Sequence, residues 1–283
     1  MIKNYTQLGK GYKVNMGKEQ RFGFGKNWLS YSSVLTEEHI ELAIDSLKEY
    51  LNIENLNGKS FLDIGSGSGL FSLAAHRLGA RVTSFDYDEH SVECTKLLKQ
   101  KYGQEQGEWA VMQGSVLDHE YVSSLGEFDV VYSWGVLHHT NNLWQAVYNA
   151  QSAVSRGGQF FIGIYNDEGI VSSVWLIIKK LYCLNSFFRT LLTMIFFTLF
   201  FSVGLFTDLV RLKNPMKRYA DHKKKHRGMS LVHDWRDWLG GCPFEVASIE
   251  RVESFVENLG FTLEKCTKPE IGFGNNQFVF KRK

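Results

Sequence analysis

The chain has 283 residues, 44% of them hydrophobic and 22% charged, with a formal net charge of +2. This balance fits a folded globular protein and excludes a disordered or fibrous one. Near-neutral charge gives no global field for a nucleic-acid partner, and none is expected. The four cysteines, Cys94, Cys183, Cys242 and Cys266, form no CxxC pair, so they predict reduced thiols and no metal site. The first residues are polar and lack an apolar signal segment, which predicts a cytoplasmic location.

Residues 1–34 are polar and aromatic, with RFGFGKNW at 21–28. Apolar residues at helical spacing (Ile40, Leu42, Ala43, Leu47, Leu51) predict a helix over 36–52. A regular alternation follows. Strands are predicted at 60–65, 81–86, 108–114, 127–133 and 158–165, with helices at 70–80, 90–102 and 142–154. Such alternation implies βαβ units and a parallel sheet. Runs such as VVY and FFIGI suit strands buried on both faces. After residue 170 a long apolar helical region spans 171–212, followed by basic residues Lys217, Arg218, Lys223, Lys224, Lys225, His226 and Arg227. A helix at 248–260 and strands at 261–268 and 276–283 complete the chain.

The most informative motif is DIGSGSG at 63–69, placed after a strand and opening a helix. Glycines there let the backbone pass close beneath a ligand, and the start of a helix offers N–H groups. The dinucleotide fingerprint fails, because Leu70 occupies the position of its third glycine. Asp63 ends the strand two residues before Gly65 and can hold an ammonium group, directly or through water. Asp86 ends the next strand, where a carboxylate can accept both hydroxyls of a ribose. Tyr87 follows it, with a ring able to face a base such as adenine.

DIGSGSG together with FDYD resembles the first two motifs of class I S-adenosylmethionine-dependent methyltransferases. SWGVLHHT (133–140), GGQFFIGIYND (157–167) and RGMSLVHDWRDWLGG (227–241) are similar to a bacterial branch related to the quinone-biosynthesis O-methylases. Arg156 departs from the pattern, which often has proline there. The resemblance implies a Rossmann-like sheet with S-adenosyl-L-methionine as cofactor. It places Gly65, Ser66, Gly67 and Gly69 on the methionyl and ribose side, Asp86 at the ribose, Ser115 and Val116 along the adenine edge, and Ser133 and Trp134 beside the sulfonium. The implied reaction is O-methylation, with N-methylation, a quinone-type phenol as acceptor, or a non-catalytic cofactor-binding module as alternatives.

A hydroxyl acceptor needs a base. His138 and His139 begin the segment after the fourth strand, at the carboxyl edge where open α/β sheets bind ligands. In similar methyltransferases the first histidine of such a pair faces the acceptor, which favours His138; the alternative is a pair that only orients the next helix. Tyr165 and Asn166 share this edge, and His233 in a tryptophan-rich segment is a second catalytic candidate, with Glu245 behind it.

Four parts are therefore expected: an extension over 1–57, a cofactor-binding core over 58–168, a helical insertion over 169–247 and a closing helix with strands over 248–283. Residues 190–207 carry no charge and approach the threshold for a membrane-crossing helix. A single crossing conflicts with the implied topology, because strands before 165 and after 261 share one sheet. Three roles stay open for the insertion: a buried cap, a homodimer interface, or a segment over 171–226 lying on the inner face of a membrane, flanked by Lys179, Lys180, Arg189, Arg211 and Lys213. In each, it covers the site of a small or lipid-linked acceptor.

Overall fold

Short runs rich in Val, Ile and Phe form strands here because they fit a pleated surface buried on both faces. In the computed structural model the described residues are 22–25, 28, 35–103, 107–215, 217, 231–269 and 274–283. Helix α1 (Glu37–Leu51) precedes β1 (Ser60–Ile64), α2 (Leu70–Arg77), β2 (Arg81–Asp86), α3 (Glu89–Tyr102), β3 (Trp109–Gln113), α4 (His119–Ser124), β4 (Phe128–Trp134), α5 (Leu143–Ser152) and β5 (Val154–Tyr165). Then follow α6 (Ile170–Leu184), α7 (Ser186–Val210), α8 (Leu231–Gly240), α9 (Ile249–Glu257), β6 (Phe261–Thr267) and β7 (Asn275–Arg282).

The strands lie in the order β3-β2-β1-β4-β5-β7-β6. β1 to β5 pair in parallel, whereas β7 is antiparallel to both β5 and β6. This is the Rossmann-like sheet that the motifs imply, closed by the last two strands. Its order reverses between β1 and β4, and a cleft opens at the carboxyl ends of strands at such a point. Two buried layers cover its faces: α1 and α2 contribute Ile40, Leu47 and Leu73 to one, and α5 and α9 contribute Val147 and Val252 to the other.

Three elements differ from the sequence expectation. The apolar helical region is two helices, broken at Asn185, whose extended backbone and side chain (accepting from the Phe188 amide at 3.0 Å) cap α7. Apolar periodicity runs straight through that break and hides it. The short α4 buries only Val122, so it has little periodicity to see, although Asp118 caps it by accepting from the Tyr121 amide at 3.0 Å. β5 begins at Val154 because pairing with β4 resumes at Phe128 beyond a bulge.

At the opposite end of the sheet Asp129 clamps β4 to β1. It accepts from the Ser60 amide at 2.9 Å, the Ser60 hydroxyl at 3.0 Å and Lys59 Nζ at 3.0 Å. Those donors outweigh partial burial and hold its carboxyl below the usual value. Asp129→Ala is expected to destabilise the fold by about 1–2 kcal/mol near neutral pH. Because the folded-state pKa is lowered, this contribution is present above the ordinary carboxylate value and is lost as pH falls through the folded one. Denaturant titrations of both proteins at neutral and acid pH check it; an equal difference at both would show that the charge plays no part.

Candidate functional site

The loop after β1 is built on three left-handed glycines, Gly65 (φ 76°), Gly67 (φ 54°) and Gly69 (φ 80°). A Cβ at Gly65 would lie 2.4 Å from Val136 Cγ1, and one at Gly69 would meet the Thr95 side chain at 2.9 Å. Four of the loop's N–H groups are already used. Gly65 and Ser66 donate to the Phe85 carbonyl at 2.8 and 3.1 Å, Gly67 to Asp86 Oδ2 at 2.9 Å, and Gly69 to the Ser66 carbonyl at 2.8 Å. The space beside the three glycines is taken by Val136, Trp28 and Thr95, so their lack of a side chain serves the close packing of the loop.

Asp86 is half-buried at the end of β2, and burial pushes its carboxyl up to about 6 against the amides of Asp88 and Gly67 that favour its charge. Those amides take one lone pair from each oxygen, and a carboxylate oxygen has two. Asp63 is only 2% exposed; Ser72 holds one of its oxygens at 2.5 Å, and burial raises its carboxyl to about 7. Ser84 donates to the Ser72 hydroxyl at 2.7 Å and Trp109 to the Ser84 hydroxyl at 2.8 Å, so Asp63 ends a buried chain that forms the floor of the loop. Tyr87 is exposed. Val116 packs its side chain in the core, so it meets a ligand only through its backbone. Ser133 is buried and donates to the Ile64 carbonyl at 3.0 Å, while Trp134 lies against Gly163 and donates to Gln277 at 2.9 Å.

Beside this loop, a 3₁₀ turn at Leu137–His139 carries the histidine pair. His138 is fully buried, with its ring 4.1 Å from that of Tyr165, and neither ring nitrogen makes a hydrogen bond among the described residues. Burial, then the neighbouring charges of His139 and Lys179, hold it well below the usual imidazole value; the nearby Gly163 backbone favours the proton but loses to them. His139 is bonded to the Pro243 carbonyl at 2.6 Å. Glu245 donates its amide to the His138 carbonyl at 3.0 Å, and its carboxyl, raised by burial to about 7, accepts from the Leu143 amide at 3.0 Å. Glu245 and His139 therefore position the turn. Asn166 is held by Asn276 at 2.8 Å and by Glu168. His233 lies on α8, with its side chain outside the described residues, as does most of the basic cluster after Lys217.

A methyltransferase domain family matches residues 62–162. The ubiquinone biosynthesis O-methyltransferase of Methylobacterium sp. (strain 4-46) is 32% identical over 120 residues, covering 42% of this chain and 46% of that protein. That of Parvibaculum lavamentivorans is 28% identical over 149 residues, covering 50% of this chain and 52% of that protein. The chain thus spans about half the length of these curated relatives. Magnesium protoporphyrin IX methyltransferase from Synechocystis PCC 6803, solved with bound SAH, shares the fold with a TM-score of 0.52 at 15% identity, covering 87% of this chain and 84% of that one. Residues 62–162 therefore carry a methyltransferase domain.

Within that domain lie the glycine loop, Asp86 and the histidine pair; outside it lie the residues that roof them. Phe24 places its ring 4.9 Å from that of His139, Gly25 donates to Asp88 at 3.1 Å, and the Trp28 ring lies over Gly67. Phe24 thus stands at the histidine pair and Trp28 at the glycine loop of the methyltransferase domain. From the insertion comes Lys179, which is fully buried, donates to the Trp238 carbonyl, and lies 5.8, 5.1 and 5.0 Å from the ring centroids of Tyr165, Trp238 and Phe244. In the sequence it counts as a flanking charge. The overlooked signal is its spacing from Ser172, Trp175, Tyr182 and Cys183, which share its inward stripe on α6.

Gly65→Ala forces both a left-handed alanine and a clash with Val136, and is expected to cost roughly 2 kcal/mol or more. Gly58→Ala, at φ 74° with nothing within 4 Å, carries the backbone cost alone. Equal losses of melting temperature for the two would show that Val136 does not press on the loop.

Proposed function

We propose that the protein transfers the methyl group of S-adenosylmethionine to an acidic hydroxyl, phenolic or enolic, on a small or lipid-linked acceptor. The observation that carries this reading is His138: a buried neutral imidazole with two unbonded nitrogens, one strand from a glycine loop of methyltransferase type. The relatives that are ubiquinone biosynthesis O-methyltransferases support the choice of oxygen as acceptor atom.

The residues present fit the cofactor. The three left-handed glycines give the loop the sharp turn that brings it against β2, and Asp86 stands at its rim with lone pairs to spare. When bound, S-adenosylmethionine supplies a methyl group already activated by a positive sulfur. The chain's task is then to hold two ligands in line and to move one proton. Gly65, Ser66, Gly67 and Gly69 over Asp63 would hold the methionyl side, Asp86 would accept the ribose hydroxyls, Tyr87, Ser115 and the Val116 backbone would hold the adenine, and Ser133 and Trp134 would stand on the sulfonium side. As the acceptor oxygen gains the methyl group, its proton passes to a ring nitrogen of His138. A depressed pKa keeps that imidazole neutral but makes it a weaker base, so it serves a hydroxyl that ionises readily. Lys179 and the rings of Tyr165, Trp238 and Phe244 give the developing oxyanion a nearby positive charge in a setting without water. Release of S-adenosylhomocysteine with phenols but not with amines supports this; turnover with amines alone, or none with either, refutes it.

Asp86→Ala is expected to weaken cofactor binding about tenfold or more, through loss of charge-assisted hydrogen bonds. In the unsubstituted protein the ribose hydroxyls need the ionised carboxylate, so affinity measured by calorimetry falls as pH drops through about 6 and levels off above it. A pH-independent affinity would remove Asp86 from the ribose.

His138→Ala is expected to lower turnover by about 10²-fold or more with cofactor affinity unchanged. Because its pKa is lowered, the turnover of the unsubstituted protein stays level as pH falls through the ordinary imidazole value and drops only at more acid pH. Full turnover in the variant, with only melting temperature reduced, would make His138 a packing residue.

A further inference from the structure

α7 has no polar face. Its inner stripe, Leu192, Phe196, Phe197 and Phe200, packs on Trp175 of α6 and Trp235 of α8. Its outer residues Leu191, Ile195, Leu199, Phe201, Val203 and Phe206 are exposed, Leu199 by 49% and Phe206 by 69%. At 3.6 residues per turn these outer positions fan over roughly 200° of the helix. Only 6% of its most apolar 18-residue window is buried, whereas the core helix of a water-soluble fold is mostly buried. Water alone does not tolerate such a surface, since contiguous apolar patches of this kind mark contact sites.

The topology decides how such a helix meets lipid. Its midpoint is fixed to Trp235 of α8, so the folded domain occupies one flank along its length. β5, which feeds the helical hairpin, pairs with β7, which comes after it. A helix so held cannot be ringed by acyl chains, and it cannot separate the two strands across a bilayer. It can lie in the interface, with the domain standing where an interfacial helix ordinarily carries its polar face. The charges agree. No charged residue falls between Arg189 and Asp208, and the exposed cations Arg189, Arg211, Lys213 and Lys217 stand at the two ends of that run. Cations at the rims of an apolar stretch meet anionic headgroups. A two-fold contact with a second copy covers one facet, and leaves unexplained both the breadth of the apolar arc and the exposed Val174, Ile177 and Leu181 on α6.

We propose that the α6–α7 hairpin lies in the surface of an anionic bilayer, its outer face among the upper acyl chains. The same hairpin carries Lys179 to His138 and Tyr165, so an acceptor held in that bilayer reaches the site from the lipid side. This last clause rests on the methyl-transfer reading, whereas membrane binding itself does not.

Flotation of the full chain with vesicles of phosphatidylcholine, alone or mixed with phosphatidylglycerol, tests this without any assay of turnover. The protein is expected to float with the mixed vesicles, less so with phosphatidylcholine alone, and less as salt is raised. Leu199→Glu combined with Phe206→Glu is expected to lower vesicle binding by about tenfold or more, with melting temperature and cofactor affinity unchanged. Arg211→Glu with Lys213→Glu is expected to weaken binding to the mixed vesicles about fivefold or more per charge while sparing phosphatidylcholine. Failure of the unsubstituted protein to float overturns the proposal. So does a sharp fall in melting temperature in the Leu199/Phe206 variant, which would make the outer face a buried one, or a sedimenting dimer that this variant splits. Flotation without turnover would retain the surface and remove the proposed reaction.

Discussion

The antiparallel pairing of β5 with β7, from Tyr165↔Asn275 to Gln159↔Lys281, constrains everything built on this sheet. It joins two strands separated by more than a hundred residues and requires whatever lies between them to leave and return at one edge. The helices α6, α7 and α8 therefore cannot form an independent lobe on the far side of anything. They are held over the carboxyl ends of β4 and β5, where Cys183 and the Cys242 amide converge on the Gly240 carbonyl at 3.0 and 2.6 Å. A helix long and apolar enough to cross a membrane is by this means held beside the methyltransferase domain.

Two halves of the site follow different physics. Around the glycine loop the backbone satisfies itself, and the one carboxylate with capacity left, Asp86, sits at the rim. Around His138 the chain excludes water instead. Aromatic rings, a buried lysine and an imidazole crowd together, and burial first, then the neighbouring His139 and Lys179, keep His138 neutral. A group that ionises only weakly is of little use to an alcohol and well matched to a phenol. The selectivity proposed here is therefore electrostatic before it is steric.

The sheet was legible in the sequence because buried parallel strands leave dense apolar runs, and the spacing from Gly65 to Asp86 marks two adjacent strand ends. The helix break at Asn185 was hidden by apolar periodicity that continues on both sides, and α4 by having almost none. Within the site, residue type indicated His138 and Asp86, but not what their neighbours do to them. Nothing local tells that the loop amides are spent on Phe85 and Asp86, since Phe85 lies on another strand. In the sequence Lys179 reads as one of the charges flanking an apolar run at a membrane face; only its place on the inward stripe of α6 argues otherwise. Phe196 and Phe200 look equivalent to Leu199 and Phe206 in a hydropathy profile, yet they face opposite ways.

Phe22, Phe24 and Trp28 lie outside the stretch that matches the methyltransferase domain. Yet Trp28 covers Gly67 and Phe24 rests on His139. A fragment trimmed to residues 62–162 would retain each glycine of the loop and both histidines while leaving them bare to solvent. In this chain the boundary of the recognisable module and the boundary of the working unit do not coincide: the module provides the floor, and sequence with no family signature of its own provides the ceiling.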